Sequence, residues 1–168
     1  MQVELHYDRI LVPIDFSDTS RKAFYVALKY AKKFDADTHV LHVMETMDTF
    51  DSIDKVQEQS NELDRVEEGV RRRVNELFER EGLAEVDRRR VFISIRGGKP
   101  WKEILNYSAE NNTSLIVMGS HGQSSFKDIL IGSTTERVVR RAGCHVLCIK
   151  PDEYEYEPIG IPDKYKQV

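Results

Sequence analysis

Cysteine is scarce in this chain, with only Cys144 and Cys148 among 168 residues. On one strand, four steps of about 3.3 Å would set their Cα atoms about 13 Å apart, beyond disulfide reach. A reducing, cytoplasmic setting is therefore expected. Long apolar runs are also missing: none approaches the roughly 18 residues that a membrane span needs. The opening MQVELHYDR has no basic region followed by an apolar core, so no secretory signal is expected. Nor is there surplus positive charge. Lys and Arg total 25 against 29 Asp and Glu, a net charge of −4, which disfavours wrapping a nucleic acid. Finally, glycine is absent from the first strand-to-helix turn, Ile14-Asp15-Phe16-Ser17-Asp18. A dinucleotide-binding fingerprint would need it there.

What is present suffices for about one domain, large enough to bury roughly two thirds of its unfolded surface without a metal or disulfide. RILVPI, residues 9–14, reads as a buried strand ending at Asp15. Ser17 or Asp18 caps a helix whose apolar face is Phe24, Ala27, Leu28, Ala31 and Phe34, a helical period. THVLHVM, residues 38–44, is a second strand. Residues 45–68 hold nine acids against Lys55 and Arg65 and begin as a surface loop. From about Glu58, the steps of Leu63, Val66, Val70, Val74, Leu77 and Phe78 predict a helix stopped by Gly82. Val91, Ile93 and Ile95 alternate with Phe92 and Ser94 as a third strand.

Gly97-Gly98-Lys99-Pro100 turns the chain, with Pro100 suited to the first position of a helix running to about Asn111. LIVM, residues 115–118, is a fourth strand, followed by a polar loop over 119–131. Ser133 with Glu136 predicts a capping box ahead of a helix to about Ala142. Val146 to Ile149 is the fifth strand, closed by Pro151. Five strands separated by four helices predict an α/β fold: a five-stranded parallel sheet, doubly wound, with helices on both faces. The last segment, from Asp152, lacks periodicity and reads as a tail. Its tyrosines and Ile159 and Ile161 call for order against a partner or the chain's own domain.

In such sheets ligands bind at the carboxyl ends of the strands, where strand order reverses. The stretch after the fourth strand is the most informative: Gly119-Ser120-His121-Gly122, nine residues, then Gly132-Ser133-Thr134-Thr135. The first glycines let backbone approach a ligand closely. The second group opens a helix, whose unpaired amides and dipole favour an anion. Together they suit a di- or triphosphate. A P-loop is excluded because Gly132 is followed by Ser-Thr-Thr with no lysine. Adenylyl-transferring enzymes would usually show extra basic motifs, and none is visible.

The chain here resembles the universal stress protein family. The resemblance lies in Ile14-Asp15-Phe16-Ser17, Leu41-His42-Val43, Gly98-x-Pro100 and Gly119-x2-Gly122-x9-Gly132-Ser133, and it spans about residues 8–150. It implies an adenine nucleotide alpha-hydrolase-like sheet of order 3-2-1-4-5, with a universal stress domain over 1–150 and a tail over 151–168. It also implies a regulatory, stress-response protein that binds ATP, with Mg2+ or Mn2+ between the phosphates, and that forms a homodimer. By resemblance Asp15 approaches the ribose or the adenine edge. Val43 offers backbone groups to adenine, with Pro13 packed nearby. Gly119, Ser120, His121 and Gly122 line the ribose and phosphate side. Gly132, Ser133 and Thr134 hold the phosphates, Thr134 through its amide.

Each residue also has a plainer reading. Asp15 can simply cap the first helix. His121 is a hydrogen-bonding loop residue sooner than a base, and His42 is a core or strand-end histidine. Cys144-His145-x-x-Cys148 spreads its thiols too far to share a metal ion. Eight arginines and seven acids lie between Arg65 and Arg90, so Arg71 to Arg73 and Arg88 to Arg90 are solvated faces and not a nucleic-acid patch. Trp101 is core or half-buried, and Lys127 either reaches the phosphates or stays exposed. No nucleophile or base is readable, so at most slow ATP hydrolysis is expected. A phospho-acceptor domain would need a carboxylate at the third strand's end, where this chain has Arg96-Gly97-Gly98. An interaction scaffold with a vestigial pocket is the alternative function. The fifth strand is expected at a sheet edge, whose ladder must be paired or blocked. Antiparallel pairing of Val146, Leu147, Cys148 and Ile149 with a second copy would do so, and the resemblance implies the same dimer.

Overall fold

In the computed structural model, which describes residues 5–45, 56–81, 88–122 and 131–151, the alternation becomes nine elements in chain order. These are β1 (Arg9–Pro13), α1 (Asp18–Phe34), β2 (Asp37–Met44), α2 (Val56–Glu81), β3 (Val91–Gly97), α3 (Pro100–Glu110), β4 (Leu115–Gly119), α4 (Ser133–Arg141) and β5 (His145–Ile149). All neighbouring strands pair in parallel, in the order β3-β2-β1-β4-β5. The strand reversal falls between β1 and β4, so the carboxyl ends of those two strands diverge into a crevice.

Alternation along the strands divides the core into two layers, because successive side chains point to opposite faces. Ile10, Val12, Val40, Leu115 and Val117 pack under α1 and α2 with Phe24, Ala27, Val70, Val74 and Phe78. Leu11, Leu41, Ile116 and Met118 face the other way, against Ile104, Tyr107 and Val138 of α3 and α4. Each fully buried large apolar side chain contributes about 1.5–3 kcal/mol relative to exposure. That uniform burial is why the strands read as near-continuous apolar runs. Phe24 sits edge-on to Phe78, with ring centroids 5.3 Å apart, locking α1 to α2.

Helix boundaries differ from the sequence expectation in instructive ways. Ser17 is the N-cap of α1, its side chain accepting from the Ser20 amide at 3.3 Å. Pro100 opens α3, as its fixed φ and missing N–H favour. β3 continues past Ile95 through Gly97, because β2 runs alongside it to Met44. At α4 the expected capping box is not made. Gly132 is the N-cap with no side-chain cap bond, and Ser133 is already the first helical residue. The Gly82 stop and the tail from Asp152 lie outside the described residues. Among those described, no helix is long and apolar enough to cross a membrane.

Candidate functional site

The crevice between β1 and β4 opens into a cleft of about 670 Å3, lined from all sides of the switch point. Its first wall is the β1–α1 turn. There Asp15 accepts through Oδ1 from the Ser17 amide at 3.0 Å and from the Ser17 hydroxyl at 2.6 Å. Ser17 in turn caps α1, so Asp15 supports the cap instead of forming it. Phe16 makes this turn possible with φ at +64°, a conformation rare for a bulky side chain. Its ring is buried, tilted against His42 with centroids 5.6 Å apart, and covered by the Arg73 guanidinium 3.9 Å from the centroid.

The opposite wall joins β4 to α4. Two threonines from two helices clamp it. Thr19 of α1 donates to the His121 carbonyl at 2.5 Å, and the buried Thr135 of α4 donates to the Gly119 carbonyl at 2.8 Å. The Ser120 amide donates to Ile149 at 2.8 Å, extending the β4–β5 ladder by one rung. The Gly132 amide then donates to the Ser120 carbonyl at 2.7 Å, drawing the start of α4 onto the strand end. A Cβ at Gly132 would lie 3.3 Å from that carbonyl, and one at Gly122 only 2.7 Å from Asp15 Oδ2. At Gly119 it would meet Thr19 Oγ1 at 2.8 Å. At these three glycines a Cβ would press on a neighbouring atom: held side chain at Gly119, the movable end of Asp15 at Gly122, and backbone at Gly132.

A third feature comes from the ends of the sheet. The Leu41 carbonyl takes the Ile14 amide on the β1 side, while the Met44 carbonyl takes the Gly98 amide on the β3 side. Backbone polar groups alternate sides along a strand, so those of Val43 point toward β1. β1 ends its pairing at Pro13 opposite Leu41. Val43 therefore presents a backbone donor and acceptor beyond the last rung of that ladder, into the cleft it lines. His42 Nδ1 donates to the Ile14 carbonyl at 2.7 Å, which fixes its ring beside the same opening.

The comparisons with known proteins decide the family. A model of the universal stress protein family matches residues 6–150. The chain belongs to the universal stress protein family. A universal stress protein of Methanocaldococcus jannaschii is 30% identical over 158 residues, covering 89% of this chain and 85% of that protein. Universal stress protein UspA from Lactobacillus plantarum superposes with a TM-score of 0.69 at 27% identity, over 87% of this chain and 99% of that one. At 19% identity and a TM-score of 0.55, a universal stress protein from Archaeoglobus fulgidus, solved in complex with dAMP, shares the fold over 87% of this chain and all of its own.

In this universal stress protein fold, Pro13, Asp15, Val43, Gly119, His121, Gly122, Gly132, Ser133 and Thr134 all line the one cleft. Ser120 does not. It is 2% exposed, and its hydroxyl is hydrogen-bonded to His121 Nδ1 at 2.8 Å, so it orients the histidine instead of facing the cleft. Lys127 and most of the stretch between the glycine pairs lie outside the described residues. Sequence reasoning missed Thr19 and Thr135, the clamps behind the glycines. Both are hydroxyls in the first turn of a helix, a signal that reads equally well as ordinary capping. His42, expected as a core or strand-end histidine, also lines the cleft. The αL backbone at Phe16 left no signal, since phenylalanine seldom adopts it.

Proposed function

We propose that this universal stress protein binds ATP in the β1–β4 cleft and works as a nucleotide-dependent regulator. The observation that carries this reading is the contact of the two glycine segments. The Gly132 amide hydrogen-bonded to Ser120 sets the first turn of α4 against the end of β4. The amides of Ser133, Thr134 and Thr135 have no intrahelical carbonyl to meet, as in any first turn, and the helix dipole adds partial positive charge there. Phosphates would sit between this turn and Gly122. Asp15, aimed at Gly122, would take a ribose hydroxyl. The backbone pair of Val43 matches the donor–acceptor edge of adenine, with Pro13 against the ring. The dAMP carried by the Archaeoglobus fulgidus relative agrees with an adenine nucleotide as the ligand class.

Among the described lining residues there are two acids, Asp15 and Glu45, and no lysine or arginine. The described residues also contain no group of three or more His, Cys, Asp or Glu able to hold a metal ion. A Mg2+ or Mn2+ ion would therefore arrive on the phosphates and be held mainly by them and by water. Calorimetric titration of the purified chain with MgATP tests the proposal, together with mass spectrometry of small molecules released on denaturation. Saturable binding and a co-purified adenine nucleotide are expected. Absence of both would leave the interaction scaffold as the function.

The partner belonging to the same proposal is a second copy. β5 is an edge strand, with Val146, Leu147, Cys148 and Ile149 half-buried in the single chain. Antiparallel pairing of two β5 strands would satisfy its open ladder. Light scattering at micromolar concentration should give twice the chain mass, and a monomer at all concentrations would overturn this.

A further inference from the structure

α3 and α4 cover one face of the sheet, packed there through Ile104, Tyr107 and Val138. Trp101, at the start of α3, is half-buried against this core. Three cations gather on its ring. The guanidinium carbons of Arg137 and Arg141 lie 5.5 and 5.4 Å from the ring centroid, and Lys102 Nζ lies 5.6 Å from it. All three residues are exposed, and none meets a carboxylate among the described residues. The acids of the same two helices are engaged elsewhere. Glu136 accepts from Arg140 at 3.0 Å, while Glu103 and Glu110 both pair with Arg96. On a chain of net charge −4, this is uncompensated positive charge held on an aromatic platform. Neither Trp101 nor its three cations line the cleft.

An exposed arginine ordinarily loses rotamer freedom when a partner fixes it. Here the indole attracts two of them beforehand. Held over a ring, a guanidinium keeps its in-plane N–H groups for a carboxylate, which it can take bidentately. Arg137 and Arg141 are one turn apart, about 6 Å along α4 at about 1.5 Å per residue. Alternate residues of an extended chain, which point to one side, are about 6.6 Å apart. We propose that the Trp101 patch is a docking site for an acidic segment of another protein. The segment lies extended along α4, with carboxylates two residues apart on Arg137 and Arg141 and a third facing Lys102. Two other polyanions fit less well. Single-stranded nucleic acid gains from stacking bases on open aromatic faces, and Trp101 already holds cations over its ring. A membrane surface calls for an apolar anchor beside the cations. The exposed large apolar side chains among the described residues are Leu5, Phe92 and Val139, and Val139, two residues from each arginine, faces away from them on α4. Docking at the patch does not depend on nucleotide binding.

Trp101 is the chain's single tryptophan, so its fluorescence reports on the patch alone. Titrating the full chain with a short synthetic peptide of alternating glutamate and glycine should give a saturable change, and the matching glutamine–glycine peptide should give none. Calorimetry should find the acidic peptide bound roughly tenfold more weakly by Arg137→Gln with Arg141→Gln, and roughly threefold more weakly by Lys102→Gln. Binding should also weaken at about 1 M salt, where screening acts over about 3 Å. No saturable change up to millimolar peptide, or wild-type affinity in the double glutamine variant, would overturn the proposal. So would tighter binding of a thymidine oligonucleotide or of phosphatidylserine vesicles through the same arginines, which would make the partner a nucleic acid or a membrane.

Discussion

Gly122→Ala should abolish tight nucleotide binding while leaving the fold almost untouched, and the geometry says why. Gly122 is exposed and has no left-handed φ, so an alanine there costs the folded state little, within about 0.5 kcal/mol. Its Cβ, however, would sit 2.7 Å from Asp15 Oδ2. That atom is the far end of a side chain, so Asp15 swings away instead of the backbone moving. The swing moves Oδ2 away from the ribose position, while the bonds from the Ser17 amide and hydroxyl are made to the other oxygen, Oδ1. Hydrogen bonds to a charged group are worth about 1.5–3 kcal/mol each. Losing the carboxylate's one direct bond to the nucleotide should therefore weaken ATP by roughly 10- to 100-fold. Gly119→Ala is the contrasting control. Its Cβ would lie 2.8 Å from Thr19 Oγ1, 3.0 Å from Thr19 Cβ and 3.1 Å from the His121 carbonyl, atoms held by the clamp itself. Overpacking of this kind costs about 1–3 kcal/mol, a fall in Tm of about 2–4 °C per kcal/mol. Calorimetry with ATP and thermal melts of the free proteins read both variants. Wild-type affinity in Gly122→Ala, at an unchanged melting point, would refute the assignment of Asp15 and Gly122 to the ligand.

Two further outcomes follow from single contacts. Thr135→Val keeps the shape of a buried side chain but leaves the Gly119 carbonyl without its 2.8 Å donor, so stability should fall by about 1–3 kcal/mol in denaturant titration. A change below about 0.5 kcal/mol would mean the clamp is not needed. Burial lowers the pKa of His39, with Arg9 adding to the effect and Asp37 opposing it, while its Nδ1 lies 2.9 Å from the Tyr107 hydroxyl. The folded chain thus binds that proton less readily than the unfolded one. This contribution is complete above about pH 6.5 and is lost as pH falls below it. His39→Gln should flatten the slope of stability between about pH 6.5 and 5, and an identical slope in the variant would exclude His39 as its source.

The architecture was legible because this fold writes itself in periods. Buried parallel strands such as LIVM at 115–118 and amphipathic helices such as α1 alternate without exception, and strand order followed once the family resemblance was seen. The site was legible where glycine marked it. Gly119, Gly122 and Gly132 each sit where a Cβ would come within 3.3 Å of another atom, so the spacing of the glycines marks close approach. What did not show was the support behind the glycines. Thr19 and Thr135 sit in first helical turns where any hydroxyl would serve as a cap, and only coordinates reveal that they reach across to β4. Ser120 failed for the converse reason. Its place inside the motif suggested the cleft, but the rung to Ile149 turns it inward and its hydroxyl is spent on His121. The expected capping box at Ser133 failed because the Gly132 amide, pulled onto the Ser120 carbonyl, moves the cap back by one residue.

The same geometry bears on how the proposed ligand is held. Every strand runs in one direction, and each helix returns against it, so the N-termini of α1, α3 and α4 gather at the carboxyl edge of the sheet with the strand ends. Ser20, Pro100 and Ser133, one from the first turns of each of these helices, all line the cleft. The positive character of the site then comes from peptide dipoles, while the acids among the described lining residues are Asp15 and Glu45, with no lysine or arginine. Dipoles act within about one turn of the helix end, whereas lysines and arginines attract an anion across a Debye length, about 8 Å at physiological salt. On a chain of net charge −4, polyphosphate would gain little from long-range steering and most of its energy from contact. The affinity for ATP should therefore depend on the positions of a few backbone amides more than on ionic strength. That is why glycine-to-alanine changes, which alter no charge at all, are the sharpest probes of this site.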